Sequence, residues 1–162
     1  MHKQKRKIST TAVLAMILLS LGPVGSVTAQ PPPKDPNKYV PGLGDLMGSL
    51  LVQHNKLWFA GDAMNWPLAA YSVDAIKEGI ADMKVLRPRY KGESIVEMLD
   101  GLTAKPMQDL EEAVAAKDSA RFVQAYDGLT QSCNVCHQNH EYGFIVIARP
   151  TVPFLTNQRY QP

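Results

Sequence analysis

Phe122-Val123-Gln124-Ala125-Tyr126-Asp127-Gly128-Leu129-Thr130-Gln131-Ser132-Cys133-Asn134-Val135-Cys136-His137 carries two patterns at once. Phe122, Tyr126, Leu129, Cys133 and Cys136, with His140 beyond them, recur at steps of three and four, which predicts one inner face of a helix over about 119–141. Cys133 and Cys136 are also the only two cysteines among 162 residues, and His137 follows the second directly. That is the C-x-x-C-H spacing for covalent attachment of a c-type haem. Each thiol can add to one vinyl group of the porphyrin, and the imidazole of the next residue is then held beneath the ring as proximal iron ligand. The motif thus lies in the last turns of the chain's last expected helix.

Three other chemistries use parts of the same residues. A thioredoxin-like Cys-x-x-Cys normally follows a strand and opens a helix in a βαβ setting, which this sequence lacks. A zinc site could take Cys133 and Cys136 with His137 or His140, but structural zinc usually has a second ligand pair across a loop, and no second pair is present. A plain disulfide leaves the adjacent histidine without a role.

The N-terminus bears on the compartment. Lys3, Lys5, Arg6 and Lys7 precede an apolar stretch from about Ala12 to Leu21, and Val27-Thr28-Ala29 offers a small-residue cleavage site, so residues 1–29 read as a secretory signal peptide. The apolar stretch is shorter than the roughly 20 residues of a membrane span. Removing residues 1–29 takes away four basic residues and no acidic one, so 17 Lys+Arg against 15 Asp+Glu becomes 13 against 15. The mature chain is then near neutral to mildly acidic, without a basic patch suited to nucleic acid. A periplasmic or secreted protein with one core is expected.

Residues 30–41 hold five prolines and read as an extended leader. From Gly42 the period becomes helical: Leu43, Leu46, Met47, Leu50, Leu51, His54, Leu57 and Trp58 share one face of a helix of about 18 residues, stopped at Gly61-Asp62. Asn65 is the expected N-cap of a second helix, with Pro67 in its first turn, running to about Leu86 with Ala69, Val73, Ile76, Ile80 and Met83 inward. Residues 87–92 read as a basic, exposed connection in which Arg87, Arg89 and Lys91 could dock an acidic partner. Gly101 and Pro106 interrupt the next pattern, so a short helix or turn is expected before a third main helix near 104–116. Residues 143–162 switch to β-branched and Pro-rich composition, as in an extended tail over the helices.

Four amphipathic helices joined by short connections, with one C-x-x-C-H near the end of the last, resemble the class II c-type cytochromes, the group of cytochrome c-prime and its methionine-ligated, low-spin relatives. The resemblance covers about Leu43 to His140 and implies an all-α, antiparallel four-helix bundle over 42–142 with one covalent haem c. It implies a monohaem carrier of single electrons between redox partners, and not an enzyme. Members often pair, which brings a homodimer into view; donor and acceptor are not named by the residues. The tail is longer than the group usually has, and with Phe144, Phe154 and Tyr160 it could dock the chain onto a larger oxidoreductase as an accessory haem subunit.

The resemblance also bears on the sixth iron ligand. Met47 and His54 lie on one face of the first helix, seven residues or roughly 10 Å apart along the axis, so one of them at most is expected to reach the iron. Leu46-Met47 is similar to the Leu-Met pair that supplies the ligand in methionine-ligated members. Methionine there favours the ferrous state and raises the potential relative to a second histidine. His54 is the runner-up ligand, or else a histidine satisfied by a hydrogen bond. An open sixth site would make the protein a binder of a diatomic gas such as NO or CO. His140 is expected at the surface or against a propionate, and Trp58, Phe59, Trp66, Phe122 and Tyr126 in the core or against the cofactor.

Overall fold

The structure is a computed structural model and describes residues 39–162. The expected signal peptide and most of the expected leader lie outside the described residues. Among the described residues the chain is all-α, with four helices: α1 (Leu43–Asp62), α2 (Trp66–Leu86), α3 (Ile95–Ala116) and α4 (Ser119–Asn139). No helix among them is long and apolar enough to cross a membrane.

Each start has a local cause. Gly42 precedes α1, and the Asp45 carboxylate reaches back to accept the Gly42 N–H (2.9 Å) and the Tyr39 hydroxyl (3.1 Å). Asn65 caps α2 by accepting the Leu68 N–H (3.2 Å), and the proline falls in the first turn, as the sequence predicts. Asp118 caps α4 through the N–H groups of Ala120 and Arg121, both at 3.0 Å.

The third helix differs from expectation. It is one continuous element from Ile95, not a short turn followed by a helix near 104. Gly101 and Pro106 sit inside it, and the apolar face runs past both, from buried Ile95 and Leu99 to Met107, Leu110, Ala113 and Val114. Burial of that face outweighs the up to about 3 kcal/mol that an interior proline costs. The start was legible after all: Ser94 accepts the Glu97 N–H (3.2 Å), and Ser94-x-x-Glu97 is a capping-box spacing. The connection before it is also more ordered than a basic loop. Arg89–Tyr90 (β1) pairs antiparallel with Glu93–Ser94 (β2), and Arg87 donates to the carbonyls of Pro41 and Val40, both at 2.9 Å.

Helix directions follow from the residues that meet. Leu50 of α1 lies against Gly79 of α2, and Lys56 lies over the Tyr71 ring, so α1 and α2 run antiparallel. Lys77 pairs with Glu111 and Lys84 with Asp100 between α2 and α3, and Arg121 with Glu112 between α4 and α3. Such exposed pairs are worth little in stability, but they report the register. The helices α1 and α4 meet near one end of each. Gly61 lies so near the Phe122 ring that a Cβ built on it would stand 2.1 Å from ring carbons. Around that contact Trp58, Phe122 and Tyr126 gather ring against ring, with Trp58 and Tyr126 centroids 5.0 Å apart. Phe122 and Tyr126 are wholly buried, as expected of core aromatics.

The tail has no regular secondary structure, yet it is fastened along its length. Asn134 of α4 bonds Ile147, Arg149 pairs with Asp127 and lies over Trp58, and Asn55 of α1 bonds Val152 and Phe154. Near its end, Tyr160 is buried against Phe59, and its carbonyl accepts from the Asn65 side chain (2.9 Å).

Gly61→Ala is expected to lower unfolding stability by about 1–3 kcal/mol, because the added methyl must push the Phe122 ring out of its place. Urea denaturation followed by tryptophan fluorescence checks this, and Gly101→Ala, where a Cβ meets nothing, serves as the control.

Candidate cofactor site

Beyond the Gly61 contact, the space between the helices holds a cavity of about 590 Å³. Every helix contributes to its wall: Met47 and His54 from α1, Ile80 and Met83 from α2, Met98 and Leu102 from α3, Cys133, Cys136 and His137 from α4. Ile145 and Ile147 of the tail complete it. The volume falls within the roughly 300–1,000 Å³ of small-molecule and cofactor pockets. The walls are mostly apolar, and the polar groups are few and grouped around the cysteines.

Helical spacing puts Cys133 and Cys136 on the cavity side of α4. Both are free thiols. Burial pushes the Cys133 thiol up to about 11, with the Cys136 sulfur nearby adding to the effect, and burial raises Cys136 as well. A dithiol that exchanges with disulfides needs a depressed thiol pKa, so this setting does not suit thioredoxin-like chemistry. The Cys136 sulfur lies 3.6 Å from the Met98 Sδ.

His137 is the next residue on, and its ring is already oriented. Its Nδ1 lies 2.8 Å from the Ile145 carbonyl oxygen. A carbonyl only accepts, so Nδ1 carries a proton, and in the neutral imidazole the lone pair is then on Nε2. Histidines that ligate metals commonly have this arrangement, with the second ring nitrogen tied to a carbonyl or carboxylate.

The two residues expected to compete for the far side differ in how they are held. Met47 is half-buried and lines the cavity, one turn from Gly44 and Leu43. His54 is 6 % exposed, and both of its nitrogens are occupied: Nε2 lies 2.9 Å from the Thr130 Oγ1, and Nδ1 lies 2.9 Å from the Tyr126 hydroxyl. Thr130 already donates to the Tyr126 carbonyl (2.9 Å), so its oxygen accepts from Nε2–H, and Nδ1 faces the Tyr126 hydroxyl, whose proton it shares with the His54 carbonyl 3.1 Å away. His54 is thus a neutral imidazole with no lone pair to spare. Burial holds its pKa down to about 4, and burial likewise raises that of Tyr126.

His140 is not at the surface. It is 9 % exposed, with Nε2 against the Met98 sulfur and Nδ1 3.4 Å from the Glu93 carboxylate. Met98 therefore lies between Cys136 and His140 at the cysteine end of the cavity. Gly44 and Gly48 of α1 also belong to the wall, and a Cβ on either would meet nothing, so the α1 wall is open there. Two glycines four apart in a helix cost about 1 kcal/mol each against alanine, which is the signal that could have marked them. Of the basic connection, Lys91 stands over the Tyr142 ring (5.0 Å) and pairs with Glu141 (3.1 Å), so it is engaged within the chain.

No protein-family model, curated protein or solved structure matches the chain.

The His54 setting makes stability depend on pH. Unfolded, this histidine takes a proton near its usual 6.5, whereas folded it resists protonation until about 4. Between these values the unfolded state holds more protons, so stability is complete above about 6.5 and falls as the pH drops toward 4, by about 3 kcal/mol. Denaturation curves of the protein with both thiols free, measured from pH 7 to 4, check this, and His54→Gln is expected to flatten that part of the profile.

Proposed function

We propose that the protein is a monohaem c-type cytochrome, a periplasmic or secreted carrier of single electrons whose four helices form an antiparallel bundle around the cofactor. One observation carries this reading. The histidine of Cys133-x-x-Cys136-His137 has its Nδ1–H tied to the Ile145 carbonyl, leaving Nε2 as the ligating nitrogen on the wall of an apolar cavity that both cysteines line. Two free thiols on the cavity wall, a preset imidazole and a mostly apolar space of cofactor size together fit a thioether-bound porphyrin.

In this reading the Cys133 and Cys136 thiols would hold the porphyrin as thioethers at its two vinyl groups, an addition in which each thiol supplies both its sulfur and its hydrogen, so that no oxidant is needed. His137 Nε2 would hold the iron, and Met47 would supply the second protein ligand in preference to His54, whose two nitrogens are already engaged. Haem iron held in this way supplies reversible one-electron chemistry. The residues do the rest: two protein ligands would keep the iron's surroundings alike in both oxidation states, and the Leu, Ile and Met side chains of the wall would give it an apolar setting. Reorganisation on electron transfer is then small. The donor and acceptor are other redox proteins, and the outward-facing Phe144 and Val146 lie on the tail beside His137.

Expression with an active cytochrome c maturation pathway tests the reading. A red product with covalently bound haem is expected, showing sharp ferrous α and β bands that CO leaves unchanged. Met47→Ala is expected to give a high-spin ferrous spectrum that shifts with CO, while His54→Gln keeps the low-spin bands. Loss of those bands in His54→Gln alone would make the carrier bis-histidine. A wild-type spectrum that is high-spin and shifts with CO would make gas binding the function, and a colourless protein would overturn the haem reading.

A further inference from the structure

Asn134, the first variable residue of the Cys-x-x-Cys-His motif, contacts the tail as one peptide group contacts another. Its side-chain nitrogen donates to the Ile147 carbonyl (2.9 Å), and its side-chain oxygen accepts the Ile147 N–H (2.8 Å). Two residues earlier on the same strap, the Ile145 carbonyl accepts the His137 Nδ1–H. Asn134 and His137 are three apart on α4, so they lie one above the other, and the strap runs back along the helix past both. A two-point amide clamp therefore stands two residues from the carbonyl that orients His137. The tail around that carbonyl has no regular secondary structure: Phe144 and Val146 on either side of Ile145 are exposed at 79 % and 71 %. Besides the turn bond from the Ile145 N–H to the Tyr142 carbonyl (2.8 Å), the Asn134 pair is the nearest backbone anchor to Ile145.

Building on the haem reading, we propose that Asn134 is a positioning residue for the iron ligand: by clamping Ile147 it holds the Ile145 carbonyl on His137 Nδ1–H and thereby sets the reduction potential. A carbonyl that accepts from Nδ1–H pushes electron density into the ring and makes Nε2 the stronger donor. A stronger donor favours ferric over ferrous iron and lowers the potential. Releasing the clamp loosens that bond and moves the potential upward.

The molecule contains its own control. Asn55 on α1 makes a similar two-point contact further along the strap, donating to the Val152 carbonyl (3.1 Å) and accepting the Phe154 N–H (2.8 Å). Loosening the tail there leaves the Asn134 clamp in place.

The test is potentiometric titration of the full-length, haem-loaded Asn134→Ala, Asn134→Asp and Asn55→Ala proteins, with proton exchange at His137 Nδ1 followed by NMR. Asn134→Ala is expected to raise the potential by as much as a tenfold change in the ferric-to-ferrous ratio, about 59 mV for one electron, and to speed Nδ1–H exchange at least tenfold. Asn134→Asp, which keeps the acceptor and loses the donor, is expected to fall between, and Asn55→Ala to stay at the wild-type values. Wild-type potential and exchange in loaded Asn134→Ala and Asn134→Asp would overturn the proposal. So would an equal shift in Asn55→Ala, which would reduce the effect to general loosening of the tail. If Asn134→Ala does not load, the potential of the isosteric Asn134→Asp decides. A wild-type protein that carries no haem fails the functional reading itself, and is distinguished by its lack of colour.

Discussion

The close approach of α1 and α4 at Gly61 and Phe122 is the constraint on which the site depends. A residue without a side chain lets the two helices touch there, and the His54, Tyr126 and Thr130 hydrogen bonds join them about two turns further on. Beyond that point they are separated by the cavity, with Met47 on one side and Cys133 and Cys136 on the other. The join and the opening are two consequences of one packing arrangement. The aromatic end spends its apolar surface on contact, and the cysteine end leaves it lining a cavity.

The polar groups in this interior are few, and the hydrogen bonds of the two histidines on α1 and α4 differ in kind. His54 gives its proton to Thr130 and takes one from Tyr126, so a buried imidazole that could have been a ligand is held as a neutral structural link. Burial makes its charged form expensive, and that expense is the source of the acid sensitivity. His137 has the opposite arrangement: one nitrogen is tied off by the chain and the other is left for chemistry. Two histidines facing one cavity are thus given different tasks by what their second nitrogen meets.

The tail belongs to the same design. Side-chain amides of Asn55, Asn65 and Asn134 bond its backbone, and Arg149 ties it to Asp127 and Trp58. An amide side chain can satisfy both the donor and the acceptor of a peptide group, so asparagine can hold an irregular strand where no sheet exists. Ile145 and Ile147 then serve as cavity wall, while Phe144 and Val146 face outward. The strap closes the site on one side and presents an apolar surface on the other.

Much of this was legible in residue order. The period of three and four marked the inner faces of α1, α2 and α4, Asn65 marked the start of α2, and the Cys133-x-x-Cys136-His137 spacing marked the proposed cofactor side, because each depends on residues within a few positions of one another. The continuity of α3 through Gly101 and Pro106 was not legible, since local cost argued for a break and burial along the whole helix overrode it. Nor was the state of His54, the burial of His140 against Met98 and Glu93, the open wall at Gly44 and Gly48, or the Asn134 clamp on a tail 13 residues away. The sequence by itself determined which residues share a face and which could carry the chemistry. Tertiary structure alone decided which nitrogens of His54 and His137 are engaged, because a hydrogen-bond partner distant in the chain becomes a neighbour only when the helices pack.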